Sequence, residues 1–573
     1  GAFISTFFRG NTQGGSTITC QLIKLTLLTS DQNFKRKVQE AYLALQLEDA
    51  ISKEEILEEY LNVIYLGGSS YGVCIAALDY FGKDLDELTL RECATLAGMI
   101  RNPSRYNPRS NYYTRNTPEV TDDRADYVLE LMHEQGYITD EEYQQAMNEQ
   151  LVVQESSSAT SSEMYDHAYY VEYAIYDVVT KMLRVEGDLE DNSTNRAAMQ
   201  RQLRTGGYRV YTSLDPAVQE AAQQVITEWD DYPDMRYSND SSIRSSLGGG
   251  EYLTVVQPQA AAAVMDYHTG ELVAIVGGRE EPVQRLQFNR AYQNNMPVGS
   301  SIKPLTVYAP AVDMGLISPI TVISDYPYQV LGGSAWPVNV DGRYRGQVTV
   351  NAAVEDSFNT VAVRVLADLV TPAKGFEYGT QRFHLPLISE QTISGQTVSD
   401  IAIAPLSLGG LSLGVSTRDM ATAFATFPND GVYREARTFT RVEDADGNVL
   451  LDNTREEEQA IKDTTAYYMN YMLTNVVSSG GGYEARISGM TVAGKTGTTD
   501  TKDNRWFVGY TPYYTAAVWV GYETPARVQA SGNPAAQMFQ KVMAPIHDGL
   551  ENTGFTQPSG LTQVSYCLDC GGE

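Results

Sequence analysis

The pattern of apolar and polar positions changes along this chain, and the change divides it. Up to about residue 155 the apolar residues recur every three to four positions, and the caps that start helices are written out. Ser52 with Glu55 precedes Ile56, Leu57, Tyr60 and Leu61, and Thr89 with Glu92 precedes Cys93, Ala94, Leu96 and Ala97. Each pair is a capping box, so this segment is expected to be nearly all helix, with one stop at Asn102-Pro103. A polar break, Ser156 to Ser162, reads as a linker. Behind it Tyr208 to Leu214 reads as a strand that ends in a turn at Asp215-Pro216, followed by a helix over 218–229. From about Tyr252 the pattern changes again. Ala260 to Asp266 and Glu271 to Val276, joined through Thr269-Gly270, predict a hairpin, and Trp506 to Tyr510 with Thr515 to Trp519 predict another. Strands at both ends with helical text between them suit an α/β sandwich, and a tail from about Gly549, rich in Gly, Thr and Ser, is expected to be loosely ordered.

Composition narrows the function more than the fold. At 573 residues and 42% apolar content the chain can bury more than one core, and length alone suggests about two to four domains. A formal charge of −30 argues against nucleic acid as a partner, because no broad polyanion-binding surface fits it. No run of about eighteen apolar residues occurs, so either the protein is soluble or its anchor lies outside this chain. The five cysteines do not make a disulfide framework: Cys20, Cys74 and Cys93 sit in apolar helical text and are expected to be buried thiols. Cys567 and Cys570 form a C-x-x-C that is open between a local disulfide, a redox pair and half of a metal site. The histidines are scattered with no H-x-x-x-H pair, which leaves a zinc site and a Ser-His-Asp triad poorly supported.

The candidate chemistry begins at Val298-Gly299-Ser300-Ser301-Ile302-Lys303-Pro304. Ser300 and Lys303 are one helical turn apart, so hydroxyl and amine share a face, and Pro304 falls early enough to do no harm. A serine hydroxyl attacks only when a neighbour takes its proton, and a lysine can do so only if burial or a second cation lowers its pKa. Composition gives roughly one or two chance S-x-x-K matches in a chain this long, so the pair needs support. Ser357-Phe358-Asn359 and Lys495-Thr496-Gly497 provide it. S-x-x-K, S-x-N and K-T-G in that order form the signature set of the serine penicillin-binding and β-lactamase fold.

With Arg505-Trp506-Phe507-Val508-Gly509-Tyr510 as flank, this half resembles the transpeptidase domain of class A penicillin-binding proteins. The resemblance implies acyl transfer. Ser300 would attack the carbonyl of a D-Ala-D-Ala-like stem, with Lys303 as base and Lys495 as the second cation. Ser357 would relay the leaving-group proton, and Asn359 would fix Lys303 and the substrate amide. Thr496 and Thr498 would hold a terminal carboxylate, Gly497 would leave room for the substrate backbone, and the N–H groups of Ser300 and Thr498 would form the oxyanion hole, each such donor being typically worth about 3 kcal/mol.

The first half resembles the peptidoglycan glycosyltransferase domain of the same proteins. The likeness rests on Gly14-Gly15-Ser16-Thr17-Ile18-Thr19 with Gln21, on Arg36-Lys37 with Glu40, on Ile56-Leu57-Glu58 with Tyr60-Leu61-Asn62, and on Tyr71-Gly72 with Tyr80-Phe81-Gly82-Lys83. Cys20 stands where the family usually has glutamine, and Leu25 where asparagine is usual. By that resemblance Gly14, Gly15, Ser16, Thr17 and Gln21 bind substrate, Lys24, Arg36 and Lys37 stabilise a departing lipid pyrophosphate, with a divalent cation (Mg or Mn) possible beside it, and Glu40 is the second carboxylate. The implied architecture is a mainly α, lysozyme-like glycosyltransferase domain over 1–155, a linker and connecting region over 156–250, an α/β transpeptidase domain of the penicillin-binding/β-lactamase type over 251–548, and a tail over 549–573.

The implied partners are lipid-linked precursor, peptide stems, β-lactams as inhibitors and cell-wall assembly proteins. The implied location is the bacterial membrane, with the catalytic parts on the extracytoplasmic side. The family's first motif, of the form E-D-x-x-F-x-x-H-x-G, carries its general base, and only Gly1 to Gln13, without Asp or Glu, precede the glycine run here. A missing base typically lowers the rate by about 10² to 10⁴, so little polymerase activity is expected from the chain as it stands, with truncation the expected cause. Two rival readings fit the sequence less well. A stand-alone D,D-carboxypeptidase or β-lactamase has no use for the first half, and no E-x-x-L-N loop lies between Asn359 and Lys495. A non-catalytic scaffold has no use for Ser300, Lys303 and Lys495.

Overall fold

The computed structural model describes residues 17–26 and 42–48 and most of 51–567, apart from 68–69, 71, 156–164, 186–188, 234–235, 238–254, 283–286, 394–395, 455–456, 523–525 and 566. The first part is helical, as its period requires. Helices α1 (Ile18–Thr26), α2 (Lys53–Val63), α3 (Val73–Phe81), α4 (Leu90–Met99), α5 (Glu119–Glu134) and α6 (Asp140–Asn148) are joined by a helical stretch over 42–48. Both predicted capping boxes form, Ser52 with Glu55 on α2 and Thr89 with Glu92 on α4. Leu22, Ile56, Tyr60, Ala76, Tyr80, Leu96 and Met99 meet in one core.

None of the three cysteines expected to be buried is fully buried. Cys74 and Cys93 are exposed and Cys20 is half-buried, all three as free thiols. Their helices are amphipathic, and the buried face of α4 runs through the neighbouring Ala94, Leu96 and Met99 instead.

The connecting segment contributes α7 (Ala168–Val185), α8 (Ser193–Thr205), β1 (Arg209–Thr212) and α9 (Pro216–Glu228). The α7 helix does not make a core of its own. Its Val178, Val179, Met182 and Leu183 pack on Phe439, Val442 and Leu451, and β1 pairs antiparallel with Phe439–Glu443, so a boundary at 250 cuts through a shared core. Tyr170 fixes the junction by donating to the carbonyls of Leu272 and Thr438 at 2.6 and 3.1 Å.

Both predicted hairpins form and join in one sheet. Strands β2 (Pro258–Asp266) and β3 (Glu271–Val276) are followed, after the pair β4 (Phe439–Glu443) and β5 (Val449–Asp452), by β6 (Ala493–Thr498), β7 (Asn504–Tyr510) and β8 (Thr515–Tyr522). Its order is β6-β7-β8-β2-β3, antiparallel throughout, with β6 on an edge. Side-chain alternation then buries both faces. Ala261, Ala263, Met265, Trp506 and Trp519 face one core, and Ala260, Ala262, Val264, Phe507 and Val518 face the other. The first core is roofed by α11 (Thr417–Phe424) and α12 (Asp463–Ser478), the second by α9 and α13 (Pro534–Ile546), which is the expected sandwich. Short helices α10a (Val350–Glu355) and α10b (Asn359–Arg364) complete the helical middle.

The tail is tied down further than its composition suggests. Phe555 packs edge-on against Tyr510 with ring centroids 5.3 Å apart, Tyr513 donates to the Glu551 carbonyl at 2.6 Å, and the N–H of Thr491 donates to Asn552 at 3.2 Å. One aromatic ring that covers a buried tyrosine outweighs the loop-forming composition around it.

Candidate active site

Ser300 lies on a 3₁₀ turn, Gly299–Ile302, whose last carbonyl bond runs from the N–H of Lys303 to Ser300. In a 3₁₀ turn residues three apart eclipse, so Ser300 and Lys303 align more closely than an α-helix would place them. Pro304 opens the wide helical turn Pro304–Tyr308 that follows, at a position where no N–H is required. Ser300 is half-buried, and its hydroxyl has no hydrogen-bond partner among the described residues.

The turn is pressed against the edge strand through two glycines. Gly299 has φ +56°, and a Cβ there would lie 2.4 Å from the Thr498 carbonyl oxygen. A Cβ on Gly497 would lie 2.1 Å from the Val298 carbonyl oxygen. The space at Gly497, expected to serve the substrate backbone, is therefore taken by the protein's own Val298. That contact sets the distance between Ser300 and β6, and Trp506 reinforces it by donating its indole N–H to the Pro297 carbonyl at 3.1 Å.

Three elements bring the remaining groups together. Lys303 Nζ donates to the Ser357 carbonyl at 2.8 Å and to Asn359 Oδ1 at 2.7 Å, and it lies 3.3 Å from Ser357 Oγ. Lys495 Nζ, from β6, donates to the same Ser357 Oγ at 2.8 Å and to the Thr496 carbonyl at 3.2 Å. Both lysines are buried, at 0% and 1% exposure, and among the described residues neither has a carboxylate ion pair. Burial pushes Lys303 well below the usual lysine range, the Lys495 charge pushes it further, and Asp500 opposes this weakly. Burial alone brings Lys495 down to about 7. In its neutral form the Lys303 amine would spend its two N–H donors on the carbonyls of Ser357 and Asn359, which leaves its lone pair for a hydroxyl proton.

Ser357 itself sits at φ +61° in the corner between α10a and α10b, a left-handed conformation uncommon for serine and concentrated at functional sites. Its neighbour Asn359 is held from behind by residues that the sequence did not single out. Asn359 donates its side-chain amide to the Val338 carbonyl at 2.8 Å, and its backbone N–H to Asn339 Oδ1 at 2.9 Å. Buried Asn339 donates to buried Asp325 at 2.7 Å, and Thr360 also donates to Asp325. No motif marks Asn339 or Asp325, because each acts through the fold rather than through spacing.

Thr496 and Thr498 are two apart on the edge strand and half-buried, so their hydroxyls lie on one side of it. Thr498 accepts from Arg505 Nη1 at 3.3 Å, its register partner on β7. A hydroxyl nucleophile, a neutral buried amine, a relay hydroxyl, a second amine that can carry charge and an open strand edge are the parts that serine acyl transfer needs.

Fewer of the first-half candidates can be placed. Gly14, Gly15, Ser16, Arg36, Lys37 and Glu40 lie outside the described residues, as does the side chain of Lys24, whose backbone is in α1. The residues expected to meet a pyrophosphate and its cation fall in that group. Thr17 caps α1, its hydroxyl accepting from the N–H of Cys20 at 3.2 Å, and Gln21 accepts from the Tyr60 hydroxyl at 3.2 Å. Lys83 grips Glu92 through both carboxylate oxygens at 2.9 Å, and that same carboxylate caps α4. Lys83 therefore fastens the fold here. Among the described residues no helix is long and apolar enough to cross a membrane.

Two family models match the chain: Transglycosylase over residues 1–133, and Penicillin binding protein transpeptidase domain over residues 260–544. Penicillin-binding protein 1A of Clostridium acetobutylicum is 37% identical over 97% of this chain and 67% of its own length. The protein of the same name from Clostridium perfringens strain 13 is 36% identical over 94% and 78%, and that of Streptococcus pneumoniae 32% over 98% and 74%. The chain thus spans about two thirds to three quarters of these relatives. Among solved structures, penicillin-binding protein 1A from Haemophilus influenzae shares the fold with a TM-score of 0.59 at 22% identity, covering 92% of this chain and 90% of that one. The PonA1 protein from Mycobacterium tuberculosis in complex with penicillin V does so at 0.53 and 22%, over 68% and 96%.

Proposed function

The chain belongs to the class A penicillin-binding proteins, enzymes of peptidoglycan synthesis with a glycosyltransferase and a D,D-transpeptidase on one chain, and we propose that Ser300 is its acyl-accepting nucleophile. The observation that carries the assignment is the convergence of Lys303 and Lys495 on the one hydroxyl of Ser357, beside the turn that presents Ser300.

Lys303 takes the Ser300 proton as Oγ attacks the carbonyl of the penultimate D-residue of a stem. The tetrahedral oxyanion is stabilised by the N–H groups of Ser300 and Thr498. As the C–N bond breaks, the proton passes from Lys303 through Ser357 Oγ to the leaving amine, and Lys495 in its charged form biases that hydroxyl to donate. Thr496 and Thr498, with the Lys495 charge behind them, hold the terminal carboxylate. An amine from a second stem then attacks the Ser300 ester, and its proton returns by the same path. A β-lactam enters the first half of this sequence and stops at the ester.

For the first half we propose glycan polymerisation from a lipid-linked precursor, with Lys24, Arg36 and Lys37 at the pyrophosphate and Glu40 as a carboxylate. An extracytoplasmic location at the membrane and contacts with cell-wall assembly proteins complete the proposal. The test of the transpeptidase assignment is labelling with a fluorescent penicillin, with and without Ser300→Ala, followed by mass spectrometry of the labelled peptide. An adduct on the peptide that holds Ser300 supports it; an adduct elsewhere, or none, overturns it.

A further inference from the structure

A cavity of about 560 Å³ opens at the end of the edge strand, lined by Lys502, Arg505, Arg527, Val528 and Ser531. It continues from the Thr498 hydroxyl, because Arg505 lines it and also donates to that hydroxyl at 3.3 Å. Its walls are fixed by the backbone: the N–H of Val528 donates to the Lys502 carbonyl at 2.8 Å, and that of Lys502 to the Thr499 carbonyl at 2.8 Å.

Three cations line this space on a chain of formal charge −30, and among the described residues none of them has a carboxylate ion pair. The Nε of Arg505 is buried without a hydrogen-bond partner. The nearby Asp503 is engaged by the Thr499 hydroxyl and by Asn504 at 3.1 Å rather than by an arginine. Burial and the adjacent Arg527 both push Arg505 below its usual value. Like charges gathered without counter-charge raise the free energy of the empty site, and an anionic ligand relieves it.

The chemistry of transfer decides which substrate reaches this cavity. This step rests on the assignment of Ser300 and Thr498 above. The leaving residue carries the carboxylate held at Thr498, and the attacking amine takes the leaving amine's place. Groups beyond Thr498 therefore meet the acceptor and not the acyl part. We propose that the Lys502, Arg505 and Arg527 cavity is an acceptor subsite for a second carboxylate, so that the enzyme favours amines from amino-acid units bearing two carboxylates over units bearing one carboxylate or an extra cation. In the step concerned the Ser300 ester breaks, an amide forms to the acceptor nitrogen, and the nitrogen's proton returns to Ser300 Oγ through Ser357 and Lys303.

The experiment acylates the purified chain with a thioester analogue of a stem and offers D-glutamate, D-alanine or D-lysine as acceptor, reading amide against hydrolysis product by mass spectrometry. D-glutamate should be used on the order of tenfold better than D-lysine, the size expected of a charge-assisted hydrogen bond to half-buried Arg505 beside the exposed Lys502 and Arg527. Arg527→Glu should invert that ratio and Arg527→Lys should keep it. Lys502→Glu serves as a second inverted variant should Arg527→Glu fail to fold, as read by its melting temperature. Acylation with equal use of the three acceptors, or a ratio unchanged by both glutamate variants, overturns the inference alone. Failure of the unaltered chain to be acylated overturns the assignment of Ser300 and the inference with it.

Discussion

Lys303 and Lys495 point at one oxygen, the Oγ of Ser357, from 3.3 and 2.8 Å. Two buried amines cannot both hold a proton at that spacing without a counter-charge, and among the described residues no carboxylate pairs with either. The pair therefore titrates as a unit, and one member is neutral near neutral pH.

This fixes the pH dependence of acylation. The second-order rate with penicillin should rise as Lys303 loses its proton, well below the ordinary lysine range, and fall as Lys495 loses its charge at about 7. A bell with its alkaline limb near neutrality, measured by stopped-flow labelling, is the expected outcome; a rate that climbs steadily to pH 10 contradicts it. Stability runs the other way. Between about 7 and about 10.4 the unfolded chain holds the Lys495 proton that the folded chain has lost, so the number of protons bound is larger unfolded and stability rises with pH across that window. Lys495→Met should flatten that part of the curve in urea titrations.

The two amines should respond differently to a guanidinium. Lys303→Arg places a group that stays charged where a base is needed, and acylation should disappear. Lys495→Arg keeps the charge and should retain a measurable fraction. Equal retention in the two variants, scored by the fluorescent penicillin, would remove the division of labour.

Asn339 is expected to matter although it reaches no substrate. It accepts from the N–H of Asn359 at 2.9 Å and donates to Asp325 at 2.7 Å. Asn339→Ala leaves buried Asp325 short of a donor, which typically costs about 1–3 kcal/mol, and lets the Asn359 end of α10b drift, lowering acylation on the order of tenfold. Asn339→Asp reverses the polarity toward Asp325 and should be worse than Asn339→Ala. A melting temperature that falls while the acylation rate of the folded fraction stays unchanged would reduce Asn339 to a purely structural part.

Gly409 also approaches the nucleophile's turn, accepting from the N–H of Gly299 at 3.2 Å. A Cβ on it, at φ +76°, would lie 2.0 Å from the Gly299 carbonyl oxygen. Gly409→Ala should therefore displace the turn or strain the backbone, with a loss on the order of 2 kcal/mol or more. Acylation should fall more than in Gly410→Ala, because a Cβ on Gly410 has nothing within 4 Å. Similar rates in the two variants would show that the turn yields without consequence.

The reacting groups were legible because acyl transfer constrains them at short range. Ser300 with Lys303, Ser357 with Asn359, and Lys495 with Thr496 each lie within one turn or one strand step, and their order along the chain is itself a signal. The sheet was legible as short apolar runs, Ala260 to Met265, Leu272 to Val276 and Trp506 to Tyr510, the first two separated by the turn text Thr269-Gly270. What spacing could not carry was support from a distance. Asn339 reaches Asn359 only after a loop folds back, Gly497 meets Val298 across the sheet edge, and Phe555 covers Tyr510 from a segment that composition marks as loose. Cys74 and Cys93 show the converse, where apolar text alone does not say which side of a helix faces inward.

The pairing of β1 with β4, and of α7 with the strands behind it, joins pieces of chain that lie far apart in sequence; the Tyr170 hydroxyl bonds to the Thr438 carbonyl 268 positions away. Synthesis proceeds from the N-terminus at roughly 5–20 residues per second. The apolar side of α7, Val178, Val179, Met182 and Leu183, therefore waits on the order of tens of seconds for Phe439, Val442 and Leu451 to emerge. Over that interval the nascent chain presents a ready-made chaperone target next to the future catalytic sheet. A ribosome-bound chain stopped before Thr438 should be cut within α7 by a protease that spares the finished fold, so the timing of translation across this stretch becomes a point at which the yield of active enzyme is decided.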